Sequence, residues 1–352
     1  MWAQIGQNIT SDTNNDGCGS SISISSDGDT VAIGAYKNDN TGENRGQVRV
    51  YRRGGTNGNV WVQLGQDLSG EEDNEFVGNV ALSSNGLVVA VGAPGSNENR
   101  GKVRVFEFNG YMWVQVGQDI DGTVEGDYSS DVAFSSDGYV LAIGSSESSA
   151  GGLHSGEVRV FRYNGNSWVK VGQDIYDFDG YMQLSSDGRI ITTGGLPVRV
   201  YMFVGEGWIQ AGQDIEGDSA SISSDGSILA STSRSKFVRI YMATTNGWVQ
   251  VGEDINGSFQ FSRLSSNGEV LAVGGTDGVS TSAYTSTFFR VYTFNQGSWV
   301  QVGQEIQGVE LGLNNQPRFS FSGSGTEIAT GFSTYSIGAI PENVKVYKLL
   351  CT

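Results

Sequence analysis

All seven tryptophans, Trp2, Trp61, Trp113, Trp168, Trp208, Trp248 and Trp299, open variants of one phrase, from WAQIGQNI at the start of the chain to WVQVGQEI near its end. A chain that writes one unit seven times folds as adjoining copies of one supersecondary element. What recurs in every copy serves the fold, so function is to be sought where the copies differ.

Each unit contains four short apolar runs. In the third, DVAFSSDGYVLAIGSSESSAGGLHSGEVRVFRYNGNSWVKVGQDI, the runs alternate apolar and polar residues and are parted by turn formers. Period-two alternation with β-branched and aromatic residues is the signature of strands. Between the first and second strands stand Asp27-Gly28, Asn85-Gly86, Asp137-Gly138, Asp187-Gly188, Asp225-Gly226 and Asn267-Gly268, with Ser324-Gly325 in the last unit. Such pairs accept the positive φ of a two-residue hairpin turn. The second strands, such as VAIGA, VAVGA and LAIGS, are small and apolar on both faces, as strands buried between neighbouring sheets must be. In five units the basic residue of the third strand precedes its tryptophan by nine positions, as Arg159 precedes Trp168, which sets the hairpin register. An insertion, RRGGTNGNV, lengthens that interval in the first unit.

Four-stranded antiparallel units repeated radially make a β-propeller. The expected fold is all-β: one seven-bladed β-propeller over residues 1–352, with blades at about 20–68, 77–120, 130–175, 180–215, 219–255, 259–306 and 317–350 plus 1–9. The chain begins with a fourth strand and ends with the first three strands of a last unit. The N-terminal strand therefore completes the C-terminal blade and leaves no unpaired edge at the seam.

Blade two, EFVGNVALSSNGLVVAVGAPGSNENRGKVRVF, resembles the FG-GAP repeat of integrin α-chain propellers, with Phe76 and Gly78 at the FG position and Gly92, Ala93 and Pro94 as the GAP. Blade five, SISSDGSILASTSRSKFVRIYM, is similar to a WD40 repeat in strand spacing, without that family's Gly-His and Trp-Asp signatures. The WVQVGQDI phrase also looks like repeats of uncharacterised multi-repeat proteins of marine microbes. The integrin resemblance implies an adhesion-like binding role. It would also place calcium between the first and second strands, but the short SSDG turn occupies that position here.

The net charge of −17, with 38 acidic against 21 basic residues, argues against nucleic acid as partner. No run approaches the roughly 20 apolar residues of a membrane helix, so membrane insertion is not expected, and with a repeat strand following Met1 almost at once no signal peptide is expected within this sequence. Two cysteines, Cys18 and Cys351, fall at opposite ends of the propeller and are not expected to pair.

Of the shared residues, each tryptophan is expected to pack where blades meet. Each third-strand base, Arg49, Arg104, Arg159, Arg199, Arg239 or Arg290, is expected to pair with the acid of its own phrase, respectively Asp67, Asp119, Asp174, Asp214, Asp254 or Glu305. Lys345 faces Asn8 in the last blade.

With strands running alternately up and down, the fourth-to-first and second-to-third connections share an upper rim. These vary in length, whereas the lower turns are uniform, and binding residues concentrate on variable loops held by rigid scaffolds. Short connections in blades four and five beside long ones elsewhere predict a shelf or groove with an acidic, tyrosine-bearing lining. Its candidate binding residues are Tyr36, Asp39, Glu71, Asp73, Glu75, Asp127, Tyr128, Tyr284 and Tyr335, with the single histidine, His154.

Asp12, Asn14 and Asp16, followed by Gly17, match the first half of a calcium loop, and Ca²⁺ is the one cofactor considered; the closing acid is replaced by Ser23. A lone histidine assembles neither a zinc site nor a Ser-His-Asp triad. The expectation is a non-catalytic scaffold that recognises a protein or glycan through its upper face, in an extracellular or cell-surface setting. The alternatives are a carbohydrate-active enzyme using paired acids in a central pocket and a structural subunit of a larger assembly.

Overall fold

The computed structural model describes residues 1–11, 16–55, 58–128, 130–146, 156–176, 178–234, 236–276, 284–312, 318–332 and 343–350, without the side chains of 284–286, 309–312 and 332. Seven antiparallel sheets form a ring, a seven-bladed β-propeller. Blade one is typical, with strands Cys18–Ile24, Thr30–Ala35, Gln47–Gly54 and Val60–Gln63 in that spatial order. Blade seven is made from both ends of the chain. Its strands Arg318–Phe321, Glu327–Phe332 and Asn343–Leu349 are completed by Trp2–Thr10, with Trp2 opposite Leu349 and Thr10 opposite Asn343.

The repeated phrase works through a bulge. In blade one the fourth strand pairs with the third at Val60–Gln63, breaks at Gly65 with φ +73°, and resumes at Leu68–Ser69. Residues 64–67 stand opposite only Arg49 and Val50, and this excess in one strand swings side chains out of the ladder. Asp67 is thereby turned onto Arg49 of its own blade at 3.1 Å, and Gln66 is turned outward onto the next blade. The Gln66 amide donates to the Trp113 carbonyl at 2.7 Å and accepts from the Trp113 N–H at 2.9 Å, while the Trp113 indole N–H donates to the Leu64 carbonyl. A β-carbon on Gly65 would lie 2.7 Å from the Trp113 ring, so glycine is required by contact as well as by φ.

The same clamp joins Gln7 to Trp61, Gln118 to Trp168, Gln173 to Trp208, Gln213 to Trp248 and Gln304 to Trp2. The tryptophans so held are 2–7% exposed. Each removes about 200 Å² from water, worth on the order of 3–5 kcal/mol at about 25 cal/mol per Å². Every seam has its own apolar cluster; Val50, Leu68, Val80, Val89 and Trp113, for example, fill the space between blades one and two.

One seam lacks the clamp. Between blades five and six the phrase reads GED, and Glu253 stands where glutamine is needed. A carboxylate cannot donate to the Trp299 carbonyl. Trp299 is only partly buried, its buried indole nitrogen has no hydrogen-bond partner, and the β-carbon position of Gly252 stands 3.4 Å from its ring.

The expected ion pairs form at Arg49–Asp67, Arg199–Asp214 (3.1 Å), Arg239–Asp254 (2.9 Å) and Arg290–Glu305 (2.7 Å). Arg104 lies 3.9 Å from Asp119 but closer to Glu71, at 3.1 Å, and Glu75, at 3.4 Å. Blade three departs from the expectation. Lys170 stands where other blades carry glutamine and takes Asp174, so Arg159 approaches Glu157 at 3.4 Å and donates to the Asp121 carbonyl.

The lower turns also differ from the two-residue expectation. Ser25 pairs with Thr30, leaving four residues between them, and of these only Gly28 has positive φ. The longer turn frees the backbone of the second serine. Ser26 N–H donates to the Ser84 carbonyl, Ser84 to Ser136, Ser136 to Ser186, Ser186 to Ser224, Ser224 to Ser266 and Ser266 to Gly323, and Ser324 N–H returns to the Ser26 carbonyl at 3.4 Å. This circle of backbone bonds locks the blades around the axis.

Glu253→Gln should restore the missing clamp. A net gain of about 1 kcal/mol per hydrogen bond predicts stabilisation of about 1–2 kcal/mol by denaturant titration, with a blue shift in tryptophan emission. Gln118→Glu should cost a similar amount at a seam that is now clamped.

Candidate functional site

The ring leaves two openings on its axis. The lower one, about 140 Å³, is bounded by the serine turns. The upper one is about 550 Å³ and takes residues from all seven blades. Its mouth follows from the register. The first strand of each blade places one residue opposite a small residue of the second: Ser21 opposite Gly34, Asn79 opposite Gly92, Asp131 opposite Gly144, Phe261 opposite Gly274 and Arg318 opposite Gly331. Tyr181, one residue before Met182–Leu184, occupies the corresponding place in blade four. All six line the cavity.

A second rung lies two residues further along the first strands and breaks the repeat. Opposite Ala32, Ala90, Ala142, Thr192, Ala230 and Ala329 stand Ser23, Ala81, Ala133, Gln183, Ser221 and Ser320, but opposite Ala272 stands Arg263. Arg263 lines the cavity with Arg318 and Arg234, and its Nη1 donates to the Ser262 carbonyl at 3.1 Å. Burial pushes the Arg263 guanidinium below its usual range; Tyr181 opposes that shift and like-charge repulsion from Arg318 adds to it. Arg234 stands 5.8 Å over the Tyr181 ring.

Asp131 and Asp179 line the same cavity. Burial pushes the Asp131 carboxyl up to about 6, against the pull of Arg318. Asn79 Nδ2 lies 3.4 Å from Asp131 Oδ1.

The two acids among the described residues of this cavity, Asp131 and Asp179, are not among the sequence candidates. Of the sequence candidates among the described residues, only Tyr36 lines it, with its ring 6.5 Å from Phe76 and the Lys37 amine 5.4 Å above it. Glu75 and Asp127 are buried and serve the loops. Glu75 accepts from the Glu71 N–H and the Ser96 hydroxyl, and Asp127 from the Thr123 hydroxyl and the Val124 N–H. Exposed on the upper rim are Asp39, which accepts from the Asn44 N–H, Glu71 paired with Arg104, Asp73 paired with Arg45 at 2.8 Å, and Tyr128 with φ +51°. Tyr284 begins the strand Tyr284–Asn295, but its side chain lies outside the described residues, as do His154 and Tyr335.

Of the half calcium loop, Asp12 and Asn14 lie outside the described residues. Asp16 is buried and accepts from Ser11 and from Asn38 Nδ2. Among the described residues no three His, Cys, Asp or Glu side chains gather as metal ligands, and no helix is long and apolar enough to cross a membrane.

No protein-family model matches the chain, and no curated protein matches it. The seven-bladed arrangement stands on the structure, while the likeness to FG-GAP, WD40 and marine-microbe repeats has no family match behind it.

The arginines and Asp131 were legible in principle. Superposing the seven copies shows arginine at residue 263 where the other six have serine, alanine or glutamine.

Because Asp131 holds its proton up to about 6 when folded and releases it near 3.8 when unfolded, folding binds a proton between those values, and this group's contribution to stability falls as pH rises through them. Asp131→Asn should raise stability by about 1–3 kcal/mol at pH 7.5 and change it little at pH 3.5. Chemical denaturation at the two pH values measures the difference.

Proposed function

We propose that this protein is a non-catalytic binding scaffold that recognises a protein or glycan partner through its upper face, in an extracellular or cell-surface setting. A propeller fold is consistent with such a role. The observation that carries the reading is the convergence of residues from all seven blades on one cavity, opening on the rim that bears the variable loops. Below it the closed circle of backbone bonds holds the scaffold rigid. A rigid ring under variable loops is a geometry suited to recognition. The exposed rim carries Glu71, Asp73 and Tyr128, whose carboxylates and ring suit sugar hydroxyls or basic side chains.

The combined variant Glu71→Ala, Asp73→Ala and Tyr128→Ala should abolish capture of partners from a glycan array or surface-protein panel. Buried Arg104 keeps Glu75 as a partner when Glu71 is removed, and the more exposed Arg45–Asp73 pair contributes about 1 kcal/mol or less, so the variant should keep nearly the parent melting temperature. Undiminished capture would refute the upper-rim assignment.

A second reading, a carbohydrate-active enzyme, has one observation in its favour. Asp131, pushed up to about 6 inside a cavity with a second acid, Asp179, has the protonation behaviour of a general acid. On that reading a screen of chromogenic glycosides would show turnover that Asp131→Asn reduces by at least about 100-fold. Turnover unchanged in the variant would remove it.

A further inference from the structure

We propose that the upper cavity binds a small hydroxylated organic anion of the sugar-acid type, with its carboxylate held by Arg263 and Arg318. This rests on reading the upper face as the binding face and specifies the chemistry at its centre.

The charge pattern carries the inference. Each third-strand arginine has a carboxylate within 3.9 Å. Arg234, Arg263 and Arg318 form no ion pair among the described residues, although the chain carries a net charge of −17 and 38 acidic side chains. Guanidinium groups do not shed their charge in proteins; Arg263 is half-buried and Arg234 and Arg318 are exposed, so their charge is open to an anion entering the cavity. Among the described residues that line the cavity, three arginines stand against two aspartates, a local excess of positive charge inside an acidic protein. That sign favours a net anion over a zwitterion or a cation. Two guanidinium forks are suited to a carboxylate, which they bind bidentately.

The remaining lining suits the body of a sugar. Ser20 and Ser21 of blade one, next to the blade of Arg318, and Asn79 and Asp131 of blades two and three offer donors and acceptors to hydroxyls. Phe261 and Phe319, stacked at 5.1 Å between centroids, supply apolar surface beside the arginines. A cavity of about 550 Å³ lies within the range of small-ligand sites. Arg263 is also the residue that departs from its counterparts in the other blades, so the fold does not demand it.

Isothermal titration with sodium D-glucuronate, with glucose and sodium sulfate at matched ionic strength as controls, tests the assignment. Saturable binding is expected for glucuronate and none for glucose. Arg263→Ser introduces the residue three other blades carry, and Arg318→Asn the residue of blade two. Each should weaken binding by at least about tenfold, the loss of a charge-assisted bond. Absence of glucuronate binding, or binding unchanged in both variants, would overturn the proposal. Sulfate binding as tightly as glucuronate would overturn the sugar-acid assignment. The melting temperature of Arg263→Ser should equal or exceed that of the parent, and a clear fall would show that the fold already compensates this charge, which also overturns the site. Capture of a macromolecular partner by the upper rim without glucuronate binding would defeat this inference and leave the broader reading intact.

Discussion

The seam between neighbouring blades is the constraint on which the structure depends. A four-stranded sheet with small apolar residues on both faces cannot stand alone in water, so each blade is stable only between two others. The GQD bulge settles how they meet. One break in the fourth strand sends aspartate inward to its own blade and glutamine outward to the next tryptophan, so a single local distortion holds register within a blade and spacing between blades. The serine circle provides a second closure at the lower mouth. Its last turn carries Gly323 in place of the second serine, and a side chain there would collide with Ser26 and Ser266.

Closure of the ring creates the cavity. With all seven first strands turned toward one axis, the residue each offers at a given rung meets six counterparts from distant parts of the chain. At the first rung blade seven brings Arg318 and blade three Asp131, and at the next rung blade six brings Arg263. Burial raises the Asp131 carboxyl and lowers the Arg263 guanidinium, while Arg318 stays exposed and the register holds the three in different blades. The strong pairing elsewhere, such as Arg239 with Asp254, shows that this chain neutralises its arginines where the repeat alone is at work. The Arg239 carboxylate partner is held well below the usual range by that bond.

The blades themselves were readable because strand periodicity, turn residues and the tryptophan phrase are local patterns repeated seven times. The role of the GQD glutamine was not, since it acts on a residue 35 to 54 positions away, and 302 away where Gln304 clamps Trp2. Glu75 and Asp127 looked like exposed rim acids because loop acids usually are. The structure folds both under their own loops, where backbone N–H groups and hydroxyls need an acceptor. Lys170, at a glutamine position of the other blades, pairs with Asp174, and Arg159 approaches Glu157 and the Asp121 carbonyl, a choice of partners made only across the bulge.

By itself the sequence determined the number of blades, their strand order and the closure of the ring by the N-terminal strand, because each follows from local pattern and from the need to leave no edge unpaired. Only the tertiary structure decided which residues share the cavity. Arg263, Arg318 and Asp131 lie in three separate blades, and nothing local to any of them records its distance from the others until the ring is closed.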